Sequence, residues 1–326
     1  MLISDVIRHG ELKPSYLSRL SAFYLCSSII GAFGPTLAYG LSLLNGKRGI
    51  AGWSWIFVGE GAISLALGIL GYLFMPEFPD RNTFLTKAQT AFVLKRIEDD
   101  RGDAIADDIT LRKILRHLGD WTIWAYGIMF TCFTLPTYML AFFMPLILEG
   151  LGFSAANALL LSSPPYGAAF FVNMGLAWLS DKAKHRAGFI VLQSSLTLIG
   201  CCMTAFAPSV PARYAGTFFI AMGALGGVPS ILAWGHNNVV SHSKRSVQSA
   251  LTIAWGGIGG VLASTVFREK DAPKYLPGLY LTIAAQVLCI IMVGVLSTYF
   301  HHMNKLCREG RLSRPLQGQE GFRYTH

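Results

Sequence analysis

Hydrophobic positions in this chain come in long uninterrupted blocks, not in strand-like alternation. The first block without a formal charge covers residues 20–44, and the second, 53–75, carries a single charge, Glu60. A polar stretch follows at 76–120, and then six more blocks at 121–148, 150–179, 187–207, 214–235, 250–267 and 279–300. Each is long enough, or nearly so, for the roughly 20 apolar residues that a helix needs to cross a bilayer. The pattern therefore predicts an all-α polytopic membrane protein of about eight transmembrane helices, grouped as two, a long loop, then six. Pro35, Pro136, Pro164, Pro165 and Pro229 fall inside predicted spans. Membrane helices tolerate proline because neighbouring helices re-satisfy the freed backbone groups.

The polar stretch carries its own signals. Thr86 and Gln89 have the spacing of a capping box ahead of Ala91, Phe92 and Ile97. Leu111, Ile114, Leu115 and Leu118 share one helical face, with Arg112, Lys113 and Arg116 on the others. That pattern suits a helix on the inner leaflet, and equally a linker helix packed under the bundle.

Composition agrees with the block pattern. Hydrophobic residues make up 52% of the 326 and charged residues only 14%, against about 25% charged in soluble domains. A soluble enzyme, a nucleic-acid binder and a disordered chain all fit that balance poorly. The net charge of +9 has a membrane explanation, because Lys and Arg gather in cytoplasmic loops. Counted over alternate loops, 21 basic residues lie on the side of the termini and the 76–120 loop, and 6 on the other. Both termini and the long loop are thus expected in the cytoplasm. The first 19 residues are polar and lack a signal-peptide core, so insertion is expected to rely on the spans themselves. Of Cys26, Cys132, Cys201, Cys202, Cys289 and Cys307, none forms a CxxC pair and five lie in apolar blocks. They read as small buried hydrophobes. No metal-ligand set, cofactor motif or catalytic constellation is found, so neither a cofactor nor an enzymatic role is expected. Gly256–Gly260 has no preceding strand and no lysine, which favours close helix packing over phosphate binding.

Several short motifs narrow the reading. Gly175-Leu176-Ala177-Trp178-Leu179-Ser180-Asp181-Lys182, followed by Lys184 and Arg186, resembles the short cytoplasmic signature of the major facilitator superfamily. Asp181 is placed to pair across helix ends while the cations face the inner leaflet. Trp53-Ser54-Trp55-Ile56-Phe57 with Glu60-Gly61 resembles the GWRWIFxxEG stretch of fungal anion:cation symporters, the allantoate-permease-like family. Four further segments match that family in the same order along the chain. They are Arg8 to Arg19, Pro76-Glu77-Phe78-Pro79 with Phe84-Leu85-Thr86, Asn237-Asn238 with Lys244-Arg245, and Gly256–Gly260 with Phe267-Arg268 and Asp271-Ala272-Pro273. Ser54 stands where the family has Arg, Ser241 and Ser243 where it has Gly and Thr, and Gly257 where it has Asn.

The resemblance implies a major facilitator fold in four parts. Residues 1–75 would be two spans of an N-terminal half and 76–120 the central loop. Residues 121–300 would be the six-helix C-terminal half and 301–326 a cytoplasmic tail. Since the family has twelve spans, the chain resembles an N-terminally truncated member, and by itself it is expected to give no uptake. The implied function is secondary transport of a small organic anion (a carboxylate, ureide or vitamin), with protons as the coupling partner, in the plasma membrane. Glu60, the one acid deep in a span, is the candidate proton carrier, since intramembrane acids are costly and mark ion paths. Its alternative is an interfacial acid satisfied by a partner. Tyr138, Tyr166, Asn173, Gln193 and His236 are the polar side chains set to face a cavity, or to serve as hydrogen-bonding glue between helices. Gly175, Asp181, Lys182, Arg186, Asn237, Asn238, Lys244 and Arg245 form the candidate conformational signature. Two rivals remain: a non-transporting membrane scaffold or fragment, and a membrane-embedded acyltransferase-like enzyme, which would need a clustered His and acid pair.

Overall fold

The computed structural model describes residues 30–75, 85–100, 110–183, 185–272, 274–312, 315–319 and 321–325. The Arg8 to Arg19 motif, Pro76 to Phe84 and Lys184 lie outside the described residues. Ten helices are described: α1 (30–42), α2 (Gly52–Phe74), α3 (Lys87–Asp100), α4 (Leu111–Leu118), α5 (Trp121–Gly150), α6 (Ala155–Ala183), α7 (Arg186–Phe206), α8 (Val210–Asn237), α9 (His242–Val266) and α10 (Leu276–Arg308). Six of them, α2, α5, α7, α8, α9 and α10, are long and apolar enough to cross a membrane. The 29-residue α6 is more polar, with Asn157, Ser162, Ser163 and Asn173 along it. Together with α1 it supplies the helices consistent with an eight-span membrane bundle.

Local chemistry explains where the helices begin. Asp120 caps α5 by accepting from the Thr122 backbone N–H at 3.0 Å and its hydroxyl at 2.8 Å. Ser241 caps α9 by accepting from Lys244 N–H at 3.2 Å. The capping box ahead of α3 is present: Thr86 N–H donates to Gln89 Oε1 at 3.0 Å, and Gln89 N–H to Thr86 Oγ1 at 3.4 Å. Two helices outrun their hydrophobic blocks. α9 starts at His242, not near 250, and α10 runs to Arg308, not 300. Hydropathy marks only the stretch in contact with hydrocarbon. A capped helix continues past it, and 33 residues of α10 span about 50 Å, well beyond the hydrocarbon thickness of about 30 Å.

Helices α5 to α10 form one packed body with α8 at its centre. Its interior has two clusters. One holds Tyr126, Phe130, Phe133, Trp234, Leu296 and Phe300, and the other Met139, Met144, Tyr166, Ile220, Phe267 and Leu279. Lipid offers no hydrophobic drive for helix association, so close approach by small residues has to do that work. The α7–α8 seam shows it: a Cβ on Gly223 would strike the backbone of Gln193 and Thr197, and one on Gly200 the backbone of Gly216 and Ile220. The α5–α9 seam is similar, with Gly256 under Phe130, Gly259 under Thr134 and Gly260 under Tyr138. The predicted packing role of that glycine run holds for these three, whereas Gly257 faces open space.

The α1–α2 hairpin lies against this body. Gly59 of α2 packs under Leu41, and Gly52 N–H donates to Asn45 Oδ1 at 2.8 Å. α1 meets α6 where Gly31 sits on the Tyr166 ring and Thr36 shares a 2.9 Å hydroxyl contact with Ser163. In α2 only Gly52 is buried. We call the end where α5, α7 and α9 begin and α6, α8 and α10 finish the basic end.

Gly223→Ala is expected to wedge α7 from α8 and lower stability by about 1–3 kcal/mol, the usual cost of overpacking. Gly257→Ala should leave the melting temperature of the detergent-purified protein unchanged. Equal melting temperatures for the two variants would contradict backbone contact at the α7–α8 seam.

Candidate functional site

A cavity of about 330 Å³ lies between the hairpin and the body. Its wall is made by Gly31, Gly34, Pro35 and Ala38 of α1, Glu60 of α2, Leu140, Ala141 and Pro145 of α5, and Leu159, Ser162 and Tyr166 of α6. These positions fall in the half of the bundle away from the basic end. The sequence sets this up in three ways. Gly31, Gly34 and Ala38 keep one stripe of α1 small. Pro145 and the Pro164-Pro165 pair remove backbone donors near the wall. Glu60 is the sole acid in an otherwise apolar α2. Among the described lining residues there is no cation, and Glu60 is the only formal charge among them. The Ser162 hydroxyl is spent locally, donating to Ala158 C=O at 2.7 Å. Ser162 and the buried Tyr166 add hydroxyl oxygens to an apolar surface.

Of the polar residues expected near a cavity, Tyr166 and Glu60 reach this one. Tyr138 does not line it. Its ring stacks on Phe142 with centroids 5.6 Å apart and covers Gly260. Asn173 and Gln193 are 4% and 3% exposed, and both lean on Gly226 of α8, where a Cβ would collide with each amide. They pack between helices, with both amide atoms of Asn173 and the carbonyl of Gln193 lacking a hydrogen-bond partner. His236 is half-buried, with Nε2 2.6 Å from Ser249 Oγ. Ser249 Oγ also lies 2.9 Å from Arg245 C=O, one turn back on α9.

The basic end is knit by a polar lock, and the candidate signature residues divide over it. Lys244, 8% exposed, donates to Asp120 at 2.6 Å and to Gln317 Oε1 at 3.0 Å. One ammonium thereby joins the starts of α5 and α9 to the C-terminal tail. Asn238 is 2% exposed and uses its whole amide. Its nitrogen donates to Trp234 C=O at 2.9 Å and the Tyr126 hydroxyl at 3.2 Å, and its oxygen accepts from Thr325 N–H at 2.7 Å. Arg245 closes the end of α8 by donating to Val239 C=O at 2.9 Å. Arg186 reaches Asp181 at 3.4 Å, the expected pairing across the α6–α7 turn. With the Asn237 amide oxygen turned to the guanidinium, it also accepts from Arg186 Nε at 2.6 Å. Lys182 sits 5.2 Å from the Trp178 ring, outside the lock, and Gly175 faces open space.

The tail, expected as a mere cytoplasmic extension, is a structural part of the lock. Trp234 Nε1 donates to Thr325 C=O at 2.9 Å. Asn304 exchanges two hydrogen bonds with the Tyr324 backbone, at 2.8 and 2.9 Å. The Tyr324 ring stacks on Phe300 at 4.3 Å. Burial pushes the Tyr324 hydroxyl up to about 12, so it stays neutral and accepts from Gln317 Nε2 at 2.8 Å. Sequence reasoning missed Asp120 and Gln286. For Asp120 the signal was available, an N-cap acid just before an apolar block. Gln286, fully buried, donates to Cys132 C=O at 2.6 Å and accepts from Ser194 at 3.1 Å, tying α10 to α5 and α7.

Burial raises the Asp120 carboxyl, but the Lys244 charge and the hydrogen bonds from Lys244 and Thr122 outweigh it, holding the group below 3.8. A lowered folded value means the stabilisation is complete above about pH 4 and is lost as pH falls through that lower value. Lys244→Met should strand Asp120 and destabilise by about 3 kcal/mol, the lower end for a broken buried pair, because Asp120 keeps 28% exposure. Adding Asp120→Asn should recover part of that loss and flatten the acid side of the stability profile. Thermal melts between pH 3 and 7 would contradict the lock if Lys244→Met left them unchanged.

The Major Facilitator Superfamily profile matches residues 10–264 of this chain. The MFS transporter prlL of Fungal sp. (strain NRRL 50135) is 26% identical over 310 residues, covering 93% of this chain and 62% of the relative. The major facilitator-type transporter hxnP of Emericella nidulans is 27% identical over 310 residues, covering 92% and 61%. The high-affinity nicotinic acid transporter of Saccharomyces cerevisiae is 24% identical over 283 residues, covering 87% and 53%. The chain thus spans between about half and two thirds of the length of these curated relatives. With an all-α membrane bundle, an acid on its cavity wall and a profile match over most of its length, the chain belongs to the Major Facilitator Superfamily.

Proposed function

We propose that this protein moves a small organic anion, a carboxylate by preference, across the plasma membrane together with protons. The observation that carries the proposal is Glu60 on the wall of the cavity between the α1–α2 hairpin and the six-helix body. An anion beside an ionised carboxylate is repelled, and the described wall has no cation to offset this. Anion and proton therefore favour each other in the cavity, and by linkage each raises the other's affinity. Protonated Glu60 becomes a hydrogen-bond donor, and the Tyr166 hydroxyl is a second donor beside it. The Saccharomyces cerevisiae relative named for nicotinic acid, itself a carboxylic acid, supports the substrate class. The ordered motifs shared with fungal anion:cation symporters support it too. Alternating access would then rock the hairpin side against the body, with the cavity on one side of the lock.

Orientation is part of the proposal. The 21 to 6 division of basic residues supports a cytoplasmic basic end, with both termini and the 76–120 loop on that side, which would set the cavity in the outer half. Reporter tags at the C-terminus and in the 76–120 loop are expected to read as cytoplasmic, and one at Gly152 as external. A cytoplasmic reading at Gly152 would contradict both the orientation and the span count.

The activity test is uptake of radiolabelled carboxylates, nicotinate included, by cells lacking their own permeases and expressing the complete gene product. Uptake is expected to rise as the external medium is acidified. Glu60→Gln should abolish that pH dependence while the protein remains in the membrane. Unchanged pH dependence in the variant would remove Glu60 from the proton path.

A further inference from the structure

We infer that α4 is a binding site for anionic phospholipid headgroups, with Arg112 and Arg116 as the headgroup contacts and Leu111 and Leu115 as the acyl-region anchor. The helix divides cleanly at 100° per residue. One side holds Lys113, Ile114, His117 and Leu118, all half-buried against the body. There His117 Nε2 lies 2.9 Å from Ser243 Oγ at the start of α9. The other side holds Leu111 and Leu115, 72% and 62% exposed, beside the exposed Arg112 and Arg116. Among the described residues no ion pair engages either arginine, and α4 carries no acid.

The occupant follows from depth and charge. α4 ends two residues before α5 begins, and Trp124 in the first turn of α5 donates to Leu118 C=O at 2.7 Å. Trp121 and Trp124 are 42% and 39% exposed, the half-exposed state of indoles in an interfacial belt, where tryptophan sits at headgroup level. A helix tied to that belt presents its free face to the leaflet. Two leucines next to two arginines match acyl chains beneath phosphate, since basic amphipathic helices gain from both apolar insertion and anionic lipid. The packed side keeps α4 on the starts of α5 and α9, so a bound headgroup would also brace the Asp120–Lys244 pair.

The test titrates short-chain phosphatidylserine, phosphatidylcholine and glycerophosphoserine onto the detergent-purified full chain, with bound lipid counted by native mass spectrometry. Phosphatidylserine should bind more tightly than phosphatidylcholine. Arg112→Gln with Arg116→Gln should weaken it by about thirtyfold, from roughly fivefold per cation near a surface. Arg112→Lys with Arg116→Lys should keep most of the affinity, which separates charge from folding. The lipid preference should also shrink at 1 M salt, where screening is about 3 Å. Equal affinity for the two lipids, no effect of the double Gln variant, or full competition by free glycerophosphoserine would each overturn the site. None of these outcomes depends on uptake.

Discussion

The contact between Lys244 and Asp120 holds the basic end together. Both charges serve more than each other. Asp120 caps the 30-residue α5, and Lys244 also holds the tail through Gln317. Without the ammonium, the cap, the start of α9 and the tail would lose their common partner, leaving a partly buried carboxylate. Pairs of this kind contribute little net stability against an apolar replacement, but breaking one side is expensive. That asymmetry suits a contact whose task is to fix register between helices.

The two ends of the bundle use different physics. At the basic end, buried amides, the Lys244–Asp120 and Arg186–Asp181 ion pairs and carbonyl-bound arginines supply most of the contacts, with single atoms such as Arg186 Nη1 and Arg245 Nε left over. In the bilayer interior there are few such contacts. Glycines let backbones touch, and aromatic side chains fill the remaining space. Asn173 and Gln193 are the departure from this, two amides set on Gly226 with donors and acceptors left over. Between these regimes sits α8, glycine-rich through its middle and tied by Trp234 and Asn238 at its end.

How much of this the sequence reveals depends on distance along the chain. The capping box at Thr86 and Gln89 and the pairing of Asp181 with Arg186 are legible because each spans one helix turn or one short connection. The spans are legible because hydrocarbon demands a long apolar run whatever the neighbours do. The tail is not, since its contacts reach back 87 residues to Asn238 and 73 to Lys244. Nor was Lys244 itself: its partner lies 124 residues away, and a basic loop reads as solvated until that partner is seen. The cavity was legible only in part. Glu60 stands out by its rarity, and Tyr166 reaches the wall. Asn173 lies on the same stripe of α6 two turns further on, where the neighbour is α8. Periodicity tells which residues share a face but not what that face meets at each depth.

Among the described residues, the seam between the α1–α2 hairpin and the body is narrow. Among the described residues one hydrogen bond crosses it, Thr36 to Ser163, beside the rolling contact of Gly31 on the Tyr166 ring. Such a bond contributes about 1 kcal/mol net, which is about a fivefold bias between two populations. Apolar contact adds to it: Ala32 of α1 packs against the second interior cluster of the body. In mechanical terms α1 is seated as on a bearing, with Gly31 resting on the flat ring of Tyr166 as its pad.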